Sequence, residues 1–131
     1  MTTAHDPFAT FLHLHAGGAA TAAPVTATFW RDLVTGTDDR VVGAAHGRTA
    51  ADFHPSECEM HPQGDEVLCL LKGALDVVLE EPAGDRAVPL ASGQVFVVPR
   101  GVWHRLVLRD PADLLFITPP HGTQLRPARG R

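Results

Sequence analysis

The chain has 131 residues, of which 44% are hydrophobic and 20% are charged, and its formal net charge is −4. Nucleic acids and anionic membrane surfaces attract basic proteins, so this acidic balance argues against either as a partner. No segment has the pattern of a secretory signal or the length of a membrane span, and we therefore expect a cytoplasmic protein. The length predicts a single domain over residues 1–131 with a substantial core.

The N-terminal part of the chain contains a strand with two histidines. Residues 1–7 are small and polar, and we expect them to be poorly ordered. Residues 8–15 alternate between apolar and polar side chains, which predicts a strand with His13 and His15 on one face. This spacing can serve a metal, but no carboxylate follows at a matching distance. The favoured interpretation is therefore that both histidines lie on the solvent-exposed face of an edge strand, with metal binding as the alternative.

The remaining pattern predicts an all-β protein. Residues 18–24 read as a small-residue loop, and residues 25–33, rich in β-branched and aromatic side chains, predict a strand. Residues 40–45 predict a weaker strand, and a turn is expected at Asp110-Pro111. No stretch of useful length shows helical periodicity. Roughly nine or ten short strands with regular turns indicate an antiparallel sandwich or barrel.

The first stretch that can carry chemistry begins at Glu59. Glu59 and His61 lie one residue apart in a predicted strand, which puts both side chains on one face. A Pro-Gln-Gly-Asp turn follows, and Glu66 begins the next strand, where its carboxylate can face the first two groups. Glu57 has the same parity as Glu59, so it is the alternative donor on this strand.

A second stretch, residues 93–104, has the same order of strand, Pro-x-Gly turn and histidine, and it ends at His104. Two such hairpins can direct four nitrogen and oxygen donors at one point, as a divalent transition metal requires. We therefore predict a metal site formed by the side chains of Glu59, His61, Glu66 and His104.

The spacing of these residues resembles the two motifs of the cupin superfamily. The first motif is matched from Glu59 to Gly73, and the second from Gly93 to His104. One position departs from the pattern, because the first motif usually begins His-x-His and Glu59 stands in that first place. The chain also resembles a small group of bacterial single-domain cupins with Glu-Met-His-Pro in this motif. The resemblance implies an antiparallel double-stranded β-helix, the jelly-roll cupin barrel.

The donor set narrows the chemistry. Two imidazoles and two carboxylates suit Mn, Fe(II), Zn or Ni, and the carboxylates neutralise a dication. A neutral site acidifies bound water less than a positive one, so metal-hydroxide hydrolysis is not the preferred reaction. We predict a metal-dependent enzyme of the oxygenase, isomerase or lyase type acting on a small oxygen-rich molecule. The alternative is a non-catalytic metal cupin that binds or senses a small ligand.

Three other reactive side chains have two interpretations each. Arg100, on the turn before Gly101, can clamp a carboxylate substrate, although a solvated turn arginine is favoured. Cys58 and Cys69 are offset by one residue from the parity of the predicted ligands. Buried structural thiols are favoured over ligands or nucleophiles for both.

Two features predict how the barrel is covered. Residues 67–71, 95–98 and 114–117 are apolar at every position, which indicates that both faces of these strands are covered. A second subunit is the simplest cover, so we predict a homodimer. Residues 119–131, with three prolines and three arginines, are expected to form an irregular tail that covers the barrel or hangs free.

Overall fold

A computed structural model describes residues 2–129, and in this range it contains nine strands and one short α-helix. The strands are β1 (Thr10–Leu14), β2 (Ala20–Pro24), β3 (Arg40–Gly47), β4 (Glu57–Met60), β5 (Glu66–Glu81), β6 (Gly84–Ala91), β7 (Val95–Val98), β8 (His104–Thr118) and β9 (Gln124–Pro127). The helix is α1 (Phe29–Thr35), and a single 3₁₀ turn spans Ala50–Phe53. Neither helical segment is long and apolar enough to cross a membrane.

The strands form the antiparallel jelly roll that the sequence predicts. One path through the sheet runs β2-β1-β3-β8-β4-β9, while β5 pairs with β6, β7 and β8. The two long strands β5 and β8 pair along most of their length, with register shifts between Leu70 and Leu75 that bend the pair. At this bend Gly73 has a φ of 95°, and a Cβ there would lie 2.2 Å from the carbonyl oxygen of Pro111. Only glycine fits this position.

The predicted turn at Asp110-Pro111 is wrong, because β8 continues through both residues. The register shifts in the pairing of β5 with β8 leave room for a proline without a ladder hydrogen bond.

Side chains that alternate along the strands point inward and fill the barrel interior. Among them, Leu68, Leu70, Val77 and Leu114 are buried in one cluster. A smaller cluster of Phe11, Leu33 and Val41 lies beneath α1.

The strand predicted over residues 25–33 is also wrong. The chain forms α1 instead, starting at Phe29 and ending before Gly36, and it buries Leu33. Phe29 and Leu33 are four residues apart, so both reach the same side of a helix, and Phe29 packs edge-on against Phe11. Contact with the core outweighs the β-propensity of the aromatic residues.

Two segments expected to be irregular form strands. Ala20–Pro24 was expected to be a loop, but as β2 it pairs with all five residues of β1. The tail forms β9, which pairs antiparallel with β4. Backbone hydrogen bonds hold both strands in the sheet. Their small or mixed side chains show no clear pattern of buried and exposed residues from which a strand could be predicted. The disorder expected for residues 1–7 and the tail expected to end at Arg131 include residues outside the described range.

Candidate metal centre

Four side chains from the two motifs meet inside the barrel. Each offers one ligand atom, and these atoms all lie within 4.8 Å of one another. The four residues are Glu59, His61, Glu66 and His104, the set that the sequence singles out. Within residues 2–129 this is the one group of three or more such side chains with this convergence.

The backbone explains why these side chains converge. Glu59 in β4 lies directly opposite His104 at the start of β8, so both point to the same face of the sheet. The Pro99–Gly101 turn brings the second motif to the first, because the Gly101 N–H donates to the His61 carbonyl at 3.1 Å. The carboxylate of Asp65 accepts the Arg100 backbone N–H at 2.7 Å, which joins the two turns again.

Glu66 lies between the two imidazoles. Its Oε1 is 3.0 Å from His104 Nε2, and its Oε2 is 3.2 Å from His61 Nε2. Glu59 is farther away, with Oε1 at 3.4 Å from His61 Nε2 and 3.6 Å from His104 Nε2. The Glu59 side chain is 31% exposed, whereas the Glu66 side chain is 5% exposed. Glu66 is therefore the enclosed carboxylate and Glu59 the open one.

Both histidines are held so that Nε2 faces the carboxylates. His104 Nδ1 lies 3.0 Å from the carbonyl oxygen of Val102, and because a carbonyl only accepts, Nδ1 carries the proton. His61 Nδ1 lies 2.8 Å from Thr123 Oγ1. The Nε2 atom of His61 is buried and has no hydrogen-bond partner. A buried nitrogen without a partner costs free energy unless it binds something that the protein takes up.

The charges of the centre stabilise one another. Burial lowers the pKa of His61, but the neighbouring carboxylates of Glu59 and Glu66 outweigh it and raise the pKa to about 9. The same balance raises the pKa of His104 to about 10. Burial acts to raise the pKa of Glu66, but the hydrogen bond with His104 and the nearby charge of His61 hold it well below its usual range. The pKa of Glu59 is lowered in the same way.

This donor set fits a divalent metal. Two carboxylates balance two protonated imidazoles, and they balance one dication equally well when the imidazoles are neutral. A metal can therefore replace two protons without changing the charge of the centre. The unpartnered Nε2 of His61 is the structural observation that fits a ligand nitrogen best.

The alternative side chains lie away from this cluster. Glu57 is exposed and is absent from the set of convergent donors. Arg100 donates through Nε to the carbonyl oxygen of Pro62 at 2.7 Å, in agreement with the favoured turn interpretation. Cys58 is buried and donates to Glu80, and burial is the main cause that raises its thiol pKa to about 11. Cys69 is half-buried and unpaired.

Sequence reasoning missed three contributors. Thr118 at the end of β8 donates to Glu66 Oε2 at 2.6 Å, and Thr123 contacts His61. Thr118 could have been predicted from strand parity, because it lies on the same face of β8 as the inward-facing Leu114 and Phe116. Nothing in the local sequence marks Thr123, since its contact joins residues 62 positions apart. The misread helix α1 supplies aromatic side chains beside the site.

A cavity of about 540 Å³ adjoins the centre, and Glu59, Glu66 and His104 lie in its wall. The rest of the wall is mainly apolar, with the aromatic side chains Phe29, Trp30, Phe53 and Phe116 and several leucines. Asp52, His54 and Glu57 are exposed polar residues in the same wall. The site therefore has room for a small molecule beside the four donors.

The fold and this arrangement define a cupin. The Cupin domain family matches residues 50–118, more than half of the chain, so the chain belongs to this family. The matched range contains all four convergent donors. No curated protein matches the chain.

Solved structures with the same fold include enzymes and a protein of unknown function. An oxalate oxidase is 18% identical, with a TM-score of 0.53 over 65% of this chain and 45% of its own. Fe(II)-HppE is 18% identical, with a TM-score of 0.51 over 61% of this chain and 42% of its own. A Streptococcus pyogenes protein of unknown function is 18% identical, with a TM-score of 0.51 over 63% of this chain and 66% of its own. The match spans less than half of either enzyme, and at this identity the likeness shows the fold alone.

Proposed function

We propose that the protein is a divalent-metal cupin that catalyses a reaction of the oxygenase, isomerase or lyase type on a small molecule with oxygen donors. The observation that carries the proposal is the convergence of Glu59, His61, Glu66 and His104 beside a cavity, with His61 Nε2 buried and unpartnered. A divalent metal held there would act as a Lewis acid or a redox centre. The donor chemistry fits Mn, Fe, Zn or Ni.

The cavity wall narrows the ligand class. Its walls contain three of the four convergent donors, and most of their other side chains are aromatic or aliphatic. A wholly polar molecule would leave these walls in contact with water. We therefore expect a ligand with one or two oxygen donors and an apolar body of about ring size, because apolar burial contributes roughly 25 cal/mol per Å².

A non-catalytic role is the second candidate, and one observation favours it. The carboxylates and the histidine in the cavity wall other than Glu59, Glu66 and His104 are exposed, namely Asp52, His54 and Glu57. A general acid or base of perturbed pKa normally lies in a partly buried position. A reaction here would therefore depend on the metal and its own ligands, while binding alone needs only the cavity and one open coordination position.

The test has two steps. Protein purified without chelator and without a nickel resin is analysed for metal by mass spectrometry, and about one divalent metal per chain is expected. Oxygen consumption and product formation are then followed with small apolar acids and enols as probes. Turnover supports the enzyme, and retention of a probe without turnover supports the binder. Metal-free protein that takes up none of Mn, Fe, Zn or Ni contradicts the proposal.

We also propose a homodimer formed by one outer face of the sheet. Two apolar rows cross neighbouring strands on this outer face: Leu12, Val42, Ile117, Val67 and Val97 form one, and Leu115, Cys69 and Val95 form the other. Neither row has a charged residue, and Val95 and Val97 are 61% and 50% exposed. The same uncharged face on a second copy is the partner that such a surface fits best.

Light scattering after size exclusion tests the dimer, with about twice the monomer mass of 14.0 kDa expected. Val97→Asp places a charge in the outer face and should shift the protein toward monomer. Ala87→Asp adds the same charge at an exposed position of β6 and should leave the mass unchanged. A monomeric wild type at micromolar concentration would rule the dimer out.

A further inference from the structure

The segment after β8 is fixed in place before it reaches the metal centre. The turn from Pro120 to Thr123 is closed by a 3.1 Å hydrogen bond between the Thr123 N–H and the Pro120 carbonyl. Within the turn, Gly122 donates its N–H to the Val34 carbonyl at 3.0 Å, and His121 Nδ1 lies 2.6 Å from the Gly36 carbonyl. The turn is therefore attached to the C-terminal end of α1.

Thr123 makes the one contact that the turn provides to a predicted ligand. Its Oγ1 is 2.8 Å from His61 Nδ1, and both side chains are almost fully buried. The opposite ring nitrogen, Nε2, faces the two carboxylates. An imidazole with Nδ1 held in this way has its ring plane fixed, and the hydroxyl can accept the Nδ1 proton that an imidazole bound to a metal through Nε2 carries.

The strand that follows Thr123 supports the other end of the first motif. β9 pairs with all four residues of β4, and Leu125 lies opposite Glu59. On its other edge β4 has a single pair, between Glu59 and His104. The position of the Glu59 backbone therefore depends mainly on β9.

The end of the segment is attached to the barrel by two arginines and a backbone hydrogen bond. Arg126 and Arg129 form ion pairs with the buried side chain of Glu80. The guanidinium of Arg126 also lies 4.1 Å from the centre of the Trp103 ring. The Ala128 N–H donates to the Ser56 carbonyl at 2.9 Å. Both ends of β9 are thus held against the barrel.

We propose that Thr123 is a positioning residue of the metal centre, which holds His61 with Nε2 toward the metal, and that β9 keeps the first motif in place. The inference rests on the proposed metal binding. Without the hydroxyl, His61 Nδ1 would lack its buried partner, and the ring could turn to find another. Loss of such an outer contact lowers metal affinity by about 10- to 100-fold.

The experiment compares three variants with the wild type. Thr123→Val removes the hydroxyl and keeps the branched shape, while Thr123→Ser keeps the hydroxyl. Thr21→Val is the matched control, because Thr21 Oγ1 makes a 2.8 Å contact with His15 Nε2 far from the centre. Zn²⁺ affinity is measured by competition with a chelator, and the absorption spectrum of the Co²⁺-loaded protein reports the ligand geometry.

The expected result is a 10- to 100-fold weaker Zn²⁺ affinity and an altered Co²⁺ spectrum for Thr123→Val. Thr123→Ser should return both to near wild-type values, and Thr21→Val should change neither. Circular dichroism of the metal-free variants confirms that they are folded. Equal affinity of Thr123→Val and wild type would overturn the positioning role and leave the metal site standing. A wild type that binds neither metal would overturn both proposals.

Discussion

Within residues 2–129, two clusters of carboxylate contain two histidines each, and one of them has the geometry of a metal site. At the end of β1, His13 Nδ1 is 2.6 Å from Asp38 Oδ2, and His15 Nδ1 is 3.3 Å from Asp38 Oδ1. Each cluster starts from two polar residues that are separated by one residue at the end of a strand. In the β1 cluster, however, the donor atoms do not converge as they do in the centre.

The difference comes from burial and from the second motif. His61, Glu66 and His104 have side chains that are 5% exposed or less, whereas those of His13 and His15 are 23% and 37% exposed. In the β1 cluster, water can hydrogen-bond to the polar atoms that have no protein partner, so no cation is needed to balance them. In the centre, buried charge has to be balanced by protons or by a metal. The spacing of two polar residues therefore indicates a candidate metal site, and enclosure by other strands distinguishes the centre from the β1 cluster.

The largest expected effect is loss of metal from variants of the enclosed ligands. Glu66→Ala removes the carboxylate that lies between both imidazoles, and His104→Ala removes one of those imidazoles. We expect either change to lower bound metal from about one per chain to near zero, measured by mass spectrometry. His13→Ala and His15→Ala are the matched controls and should keep the wild-type content. Metal loss from these controls with retention in Glu66→Ala would reverse the comparison.

A smaller effect is expected at Glu59, the open carboxylate of the centre. Glu59→Ala removes one donor and one negative charge, so metal content should fall, but less than in Glu66→Ala, because Glu59 is 31% exposed and water can replace it. Glu59→His should keep the metal and shift preference toward Ni, Cu(II) and Zn. It should also bind small anions more tightly, because the site gains a positive charge.

Metal stoichiometry of these two Glu59 variants, with Glu57→Ala as the control, measures the effect. Full metal in Glu59→Ala together with loss in Glu57→Ala would move the fourth donor to Glu57. Full metal in both would leave a three-ligand site of His61, Glu66 and His104.

The motif spacing was enough to predict the barrel and the four convergent side chains, because strand parity and Pro-x-Gly turns are local properties. The support of the site was not predictable in this way. Thr123 contacts His61 across 62 positions, and all four residues of β9 are exposed, so no buried face marks this strand. The helix α1 was missed because its aromatic residues favour strands in isolation, and only the apolar surface beside Phe11 makes the helix the better packed form.

The next effect is the pH dependence of metal binding at the centre. In the metal-free centre the pKa values of His61 and His104 are raised to about 9 and about 10, so both are protonated at neutral pH. A metal must displace both protons, and its affinity should rise by about 100-fold per pH unit between pH 7 and 9 and level off above pH 10. Titration of Zn²⁺ at several pH values, with chelator competition, measures this. An affinity independent of pH in that range would contradict the ligand set.

The stability of the metal-free protein should depend on pH through the histidines and glutamates of the centre. A histidine pKa raised from 6.5 stabilises the fold fully below about pH 6.5, and the stabilisation is lost as pH rises through 9 to 10. The lowered pKa values of Glu59 and Glu66 stabilise it above about pH 4.5, and this is lost as pH falls through their folded-state values. The midpoint of thermal unfolding should therefore be highest near pH 5 to 6.5. A midpoint that rises steadily to pH 10 would contradict it.

The smallest expected effect belongs to the β1 cluster itself. Asp38→Ala removes the carboxylate that contacts both His13 and His15, but its side chain is 19% exposed and water can hydrate the histidines it leaves. We expect the free energy of unfolding to fall by no more than about 1 kcal/mol, the upper end for ion pairs near the surface. Urea denaturation measures this, and metal content should stay at the wild-type value. A fall of several kcal/mol in the free energy of unfolding would show that the β1 cluster contains buried charge, as the metal centre does. A loss of metal would show that the two clusters are coupled. The contact between them would be the packed pair Phe11 and Phe29, because Phe11 lies near His13 in β1 and Phe29 lies beside Trp30 in the cavity wall.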